Sequence, residues 1–116
     1  MRHRKAGKKL GRNKDQRRML MRHMAADLIM KEKMQTTEAK AKFVRPLVEK
    51  VICLTKEKNL TIMHRLHGLI NDPKAEQKLL KTIGPKYKER KGGYTRIIKL
   101  ARRLGDRAEV VLFELV

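Results

Sequence analysis

YTRIIKLA at residues 94–101 and AEVVLFELV at residues 108–116 are the stretches that decide the fold. Both are short and rich in β-branched and aliphatic side chains, and Gly105-Asp106 lies between them, so they read as two strands joined by a turn. Val110, Val111, Leu112 and Phe113 are apolar without interruption, which predicts a strand covered on both faces or paired at the centre of a sheet. Immediately upstream, Gly92-Gly93 marks a turn.

Further upstream the apolar spacing is helical. Asp72 stands in N-cap position with Pro73 at the first helical residue, Leu79, Leu80 and Ile83 supply the apolar face, and Gly84-Pro85 is expected to end that helix. Thr61 is placed to cap a helix bearing Ile62, Leu66, Leu69 and Ile70. EAKAKFVRPLVEKVICLTKEK, from residue 38, repeats apolar pairs at Phe43/Val44, Leu47/Val48 and Val51/Ile52 and reads as a strongly amphipathic helix. Pro46 has no N–H and its ring crowds the carbonyl four residues back, which predicts a kink near residues 42–46. KMQTT, with Thr36 and Thr37, reads as a short strand, and Thr37 is also placed to cap the following helix. From about residue 14, Leu20, Met24 and Leu28 with Met21, Ala25 and Ile29 give another helix, with Asn13 or Asp15 as its cap. Helices packed on a small sheet follow, an α/β (α+β) chain with residues 14–116 as one globular domain and residues 1–13 as a basic extension.

Charge is distributed in blocks. The 31 Lys and Arg outnumber the 12 Asp and Glu, for a net charge of +19. Residues 2–18 carry nine cations, Arg2, Arg4, Lys5, Lys8, Lys9, Arg12, Lys14, Arg17 and Arg18, against Asp15, a net +8. Residues 86–107 carry nine more, Lys86, Lys88, Arg90, Lys91, Arg96, Lys99, Arg102, Arg103 and Arg107, against Glu89 and Asp106, a net +7. Self-repulsion at this charge destabilises a compact state, so a polyanionic partner is expected. Up to residue 18 only Met1 and Leu10 are sizeable apolar side chains. The extension is therefore expected to be disordered when free and to order on nucleic acid.

Several classes are disfavoured. No apolar run approaches the length of a membrane span and no secretory h-region opens the chain, so a cytosolic protein without membrane partners is expected, its Arg-rich start being a functional tail. Cys53 is the only cysteine, which excludes an intramolecular disulfide and a CxxC zinc site; with Val51, Ile52 and Leu54 around it, it reads as a small buried hydrophobe. No nucleophile triad, phosphate-binding loop, HExxH or paired-carboxylate pattern is present, so neither an enzyme nor a small-molecule substrate or cofactor is expected. His64 and His67 sit three apart, but without further ligands nearby they read as a surface or RNA-facing pair and no metal site is expected. Aromatic residues make up 3% of the chain, too few for a base-stacking platform, so phosphate and shape contacts must dominate. Tyr94 is open to two readings, a stacking or hydrogen-bonding group at the RNA surface and a core tyrosine at the start of a strand. A DNA-compacting or transcription-related protein is permitted by composition, but two separated basic segments and no clear helix-turn-helix count against it. An enzyme acting on RNA would need clustered carboxylates, a His acid/base pair or a metal site.

MRHRKAGKKLGR, TTEAKAKFVRPLVEKVI, PKYKERKGGYTRIIKL and LGDRAEVVLFELV resemble, in the same order and from end to end, four motifs of the family of bacterial large-subunit ribosomal protein seventeen. The resemblance implies a mixed three-stranded sheet, an N-terminal extension into large-subunit ribosomal RNA, contact with large-subunit ribosomal protein thirty-two, and residence on the cytoplasmic ribosome. Carried over by position, the extension motif falls on Arg2, His3, Arg4, Lys5, Lys8, Lys9 and Arg12, and the RNA-facing loop motif on Arg90, Gly92, Gly93, Tyr94, Thr95 and Arg96. Arg17, Arg18, Lys86, Lys91, Lys99, Arg102 and Arg103 join them as expected phosphate contacts on charge. KLARRLGD departs from the family pattern, in which glycine or proline more often precedes the paired basic residues.

Overall fold

The computed structural model describes residues 9–57 and 59–116. Helix α1 (Lys14–Lys31) starts at Asn13, whose side chain accepts from the Gln16 N–H at 2.9 Å while the Gln16 side chain accepts from the Asn13 N–H. This reciprocal cap settles Asn13 over Asp15. Glu32 closes the helix in the left-handed conformation at φ 66° and sends the chain directly into strand β1 (Lys33–Thr37). Helix α2 (Glu38–Leu54) follows without a loop; Thr37 occupies its N-cap position, but its side chain makes no capping bond.

Pro46 lies inside α2, which is helical on both sides of it. Its exposed position leaves water to serve the carbonyl it cannot pair with, while Ala41, Val44, Val48, Val51 and Ile52 hold the opposite face in the core. Cys53 departs from expectation: it is exposed. Its apolar neighbours in sequence point elsewhere around the helix, and Cys53 falls between the buried rows.

Helix α3 (Leu60–Leu69) is capped by Asn59, which accepts from the Ile62 N–H at 2.9 Å, so the expected cap, Thr61, instead lies inside the first turn. Asp72 caps helix α4 (Pro73–Lys78) with Pro73 at its start, as the sequence predicts. The expected stop at Gly84-Pro85 is overturned. The chain continues through a π-helical turn (Leu79–Ile83) into a last helical turn, α5 (Gly84–Lys86). The Gly84 N–H reaches back to the Leu79 carbonyl, and this wider turn gives the Pro85 ring the room that an α-helix denies it. Gly84 is needed for space: a Cβ there would stand 2.5 Å from the Thr55 carbonyl oxygen and 3.0 Å from that of Leu79.

Strands β2 (Thr95–Arg102) and β3 (Glu109–Leu115) complete a sheet of order β1-β3-β2. Both pairings are antiparallel, Met34 opposite Phe113 and Ile97 opposite Phe113. The α+β class stands, while the mixed sheet implied by the resemblance is corrected to an antiparallel one. A tight turn, with the Arg103 N–H bonded to the Ala108 carbonyl, forces β3 back along β2, and β1 meets only β3. The uninterrupted apolar run thus belongs to the central strand. Val111, Phe113 and Leu115 face a core built with Leu28, Ile29, Val48, Ile52, Leu66 and Ile83.

Candidate nucleic-acid interface

The loop from Tyr87 to Arg96 is held from beneath. Tyr94 is buried and packs edge-to-face on Tyr87, ring centroids 5.4 Å apart, and its hydroxyl donates to the Arg90 carbonyl at 3.1 Å. The core reading of Tyr94 is the one the structure supports, and no open ring face is left for a base. The Lys56 ammonium sits 4.9 Å above the Tyr94 ring and also donates to the Arg90 carbonyl. Arg90 Nε donates to the carbonyls of Gly92 and Gly93, each at 3.2 Å. Gly93 takes the left-handed conformation at φ 63°, where a side chain is strained.

Glu49 supplies the other anchor, and the sequence reading missed it. From the middle of α2 its carboxylate accepts from the Tyr94 N–H at 3.2 Å, the Thr95 N–H at 3.1 Å and the Thr95 hydroxyl at 2.7 Å. The buried start of β2 is thereby satisfied and the loop is tied to a core helix. Nothing local in VRPLVEKVI marks Glu49, since its partners lie 45 and 46 residues away.

On this frame Lys86, Lys88, Arg90, Lys91, Gly92 and Gly93 are all exposed. Lys86, Lys88, Arg90 and Lys91 form no ion pair among the described residues. Two open grooves flank the loop, one of about 340 Å³ between Thr55, Lys56, Pro85 and Lys88, the other of about 510 Å³ beside Lys86, Tyr87 and Arg90. The arrangement offers exposed cations, with Glu89 among them, on a fixed backbone, which suits neutralisation of phosphates.

The family description "Ribosomal protein L17" matches residues 20–116. The chain is 47% identical over 116 residues to "Large ribosomal subunit protein bL17" of Syntrophotalea carbinolica, covering 100% of this chain and 75% of the relative. It is 48% identical over 113 residues to the protein of that name from an Exiguobacterium strain, covering 93% of this chain and 97% of the relative. The Trichlorobacter lovleyi protein of the same name is 44% identical over 116 residues, covering 100% and 94%. The chain belongs to the ribosomal protein L17 family. Proteins of the ribosomal L17 kind are structural rather than enzymatic.

In this L17-family chain the remaining expected contacts divide by their surroundings. At the far end of the β2–β3 hairpin, Arg103 makes two bonds to Asp106, at 3.1 and 2.5 Å, and Arg102 lies 3.8 Å from Glu109. Arg96 is bonded to Glu114 at 2.5 Å across the sheet. Those three cations are partly neutralised within the chain, whereas exposed Lys99 and Arg107 form no ion pair among the described residues. Arg12 and Arg17 turn onto backbone carbonyls, of Leu10 at 2.7 Å and of Arg12 at 2.9 Å, and Arg18 is exposed on the first turns of α1. No hydrogen bond or ion pair joins Arg12, Arg17 or Arg18 to the Lys86–Arg96 loop among the described residues. Arg2, His3, Arg4, Lys5 and Lys8 lie outside the described residues. His67 Nδ1 is 3.2 Å from Glu76, His64 is exposed, and no group of three metal-ligating side chains occurs among the described residues. None of the described helices is long and apolar enough to cross a membrane.

The hairpin tip carries its own pH signature. The Arg103 guanidinium, aided by the Ala108 N–H, holds the Asp106 carboxyl down from 3.8 to about 2. A depressed folded-state pKa contributes stability that is complete above 3.8 and is lost as pH falls through about 2. Carboxyl-detected NMR titration should therefore find Asp106 still ionised at pH 3, and Arg103→Gln should return its midpoint toward 3.8. A normal midpoint in the parent chain counts against the pairing.

Proposed function

We propose that this chain is a structural constituent of the large ribosomal subunit on the cytoplasmic ribosome and binds ribosomal RNA through its Lys and Arg side chains. Two regions carry the contacts: the extension over residues 1–13, continuing to Arg17 and Arg18 on the globular domain, and the loop and strand region from Lys86 to Arg103. Lys86, Lys88, Arg90 and Lys91 meet phosphates from the held loop, Gly92 and Gly93 allow the backbone to come close, and Lys99 extends the row along β2. Arg96, Arg102 and Arg103 exchange an internal carboxylate for phosphate, or share the cation between the two. A protein neighbour, large-subunit ribosomal protein thirty-two, follows from the family resemblance.

The observation that carries this reading is a row of exposed cations, without ion pairs among the described residues, fixed on a loop that buried Tyr94 and half-buried Glu49 hold in place. Family membership and the relatives' name, "Large ribosomal subunit protein bL17", supply the polyanion. Co-sedimentation with large subunits through a moderate salt wash is expected, and a chromosome-bound or free pool would favour the DNA-compacting alternative. Affinity for ribosomal RNA fragments should fall steeply with salt. Replacing Lys86, Lys88 and Lys91 together by Gln should flatten the log–log slope by about 2–3 if each cation releases one phosphate's counterion. An unchanged slope would mean that those ammonium groups do not reach the RNA backbone.

A further inference from the structure

The tip of the β2–β3 hairpin is firmly held, although residues 101–107 are all exposed. Its bonds are internal. The Arg103 N–H donates to the Ala108 carbonyl at 2.9 Å and the Arg107 N–H to the Arg103 carbonyl at 3.0 Å. Asp106 accepts from the Arg103 guanidinium and, at 3.1 Å, from the Ala108 N–H. Arg107 takes φ 54°, a left-handed conformation that disfavours arginine and that the bonds around it must hold. Below the turn the pairing slips between Lys99 and Arg102, and such an irregularity re-aims the end of a strand.

This frame presents Leu104, which is 97% exposed. Single exposed aliphatic side chains are ordinary on a protein surface. The others in this chain, however, lie along helices or strands that cover part of them, and the next most exposed, Leu60, stands at 69%. Leu104 has almost no cover from the chain and gains burial only from a partner. Arg102, Arg103 and Arg107 outnumber Asp106 and Glu109 around it, and Arg107 has no ion pair among the described residues.

We propose that the turn is a preformed wedge that seats Leu104 on the face of an unstacked base of ribosomal RNA, an inference that rests on the RNA-binding reading above. Arg107 then meets the flanking phosphate. Bases are the apolar part of an RNA and become reachable where loops and bulges splay them out, and leucine is among the side chains that proteins insert beside bases as wedges. Ordering the turn beforehand removes a cost that a slack loop would meet on binding. Arg103 uses Nε and one Nη on Asp106, which leaves its second Nη for a phosphate. It therefore shares its cation and keeps the brace.

Other occupants fit less well. A second copy of this chain meets the repulsion of two chains that each carry +19. A neighbouring protein would have to cover three arginines together with the leucine, and a polyanion is the better complement to that surface.

Filter binding of the full chain to purified large-subunit ribosomal RNA, across a salt series and with excess transfer RNA as competitor, tests this. Leu104→Ala should lower affinity by about five- to tenfold at every salt concentration, as loss of partial aliphatic burial requires, with the log–log slope and the melting temperature unchanged. Arg107→Gln should instead flatten the slope by about 1. Asp106→Asn separates brace from charge. It removes a negative charge, so a turn acting through charge alone would bind RNA more tightly, whereas a wedge that has lost its brace binds several-fold more weakly. p-Azidophenylalanine at Leu104, carried into assembled large subunits and irradiated, should give an adduct within one stretch of ribosomal RNA. Undiminished affinity or a changed slope in Leu104→Ala, affinity kept or raised in Asp106→Asn, or an adduct to a neighbouring protein, to a second copy or to nothing overturns the wedge. Failure of the parent chain itself to bind ribosomal RNA or to sediment with large subunits would instead count against the underlying RNA-binding reading.

Discussion

Replacing Gly84 by alanine is expected to lower the unfolding free energy by ~3 kcal/mol, at the upper end for overpacking. The added Cβ would meet the Thr55 carbonyl oxygen at 2.5 Å and the Leu79 carbonyl oxygen at 3.0 Å, and both are backbone atoms that cannot rotate aside. Relief requires α5 to move off the end of α2 or the π turn to rewind. Either movement disturbs Leu79 and Ile83, which are fully buried. Urea unfolding of the purified variant should show a lower midpoint with an unchanged slope. Gly68, where a Cβ would meet nothing within 4 Å, is the control. Gly68→Ala should leave the midpoint the same or raise it, because alanine is the better helix former. A Gly84→Ala chain as stable as its parent would refute the close approach.

Glu49→Ala is expected to weaken both the fold and RNA binding. Tyr94 and Thr95 are buried, at 2% and 3% exposure, so removing the carboxylate strands two main-chain N–H groups and a hydroxyl away from water. Leaving buried donors unpaired costs about 1–3 kcal/mol each, so ~3 kcal/mol overall is expected after partial relaxation. The loop loses its tie to α2 at the same time, and its cations no longer share one geometry. Glu49→Gln retains an acceptor oxygen and should fall between. Arg96→Ala is the comparison: its side chain is 57% exposed while that of its partner Glu114 is 15% exposed, so the pair is solvated on the Arg side and the expected stability change is about 1 kcal/mol. Thermal melts and filter binding on the three variants decide the matter. Full RNA affinity in the folded fraction of Glu49→Ala would mean that the anchor does not position the loop.

Much of the fold was legible because local chemistry and tertiary role agree. Thr36 and Thr37 mark β1, Asp72-Pro73 starts α4, and the apolar run at 110–113 belongs to the central strand. The misreadings occurred where a neighbour distant in sequence decides the outcome. Gly84-Pro85 stops an α-helix in isolation, but here the backbone widens to a π turn that brings Gly84 against Thr55. Asn59 outcompetes Thr61 as a cap two residues earlier, and Cys53 sits between buried rows that surround it in sequence but not in space.

The basic loop was legible from charge and from its glycines. The pairing of Arg96, Arg102 and Arg103 with acids was not, since two of those acids lie on the opposing strand and Asp106 on the turn. Tyr94 could not be assigned to core or surface without the hydroxyl's partner, and that partner, the Arg90 carbonyl, depends on the shape of the loop.

The sheet order has a consequence for synthesis. Among the described strands, β1 and β2 each pair only with β3, and Lys33 pairs with Glu114. At about 5–20 residues per second, β1 emerges roughly 4–16 s before its only strand partner. Helices α1 to α4 can form during that interval from contacts near in sequence, but the pairing of β1 must wait until β3 is made. Through the wait β1 is an unpaired edge, the kind of surface on which nascent chains associate wrongly. Its brevity and the exposed Lys33 and Gln35 keep that edge a poor template for any strand except the one still to come.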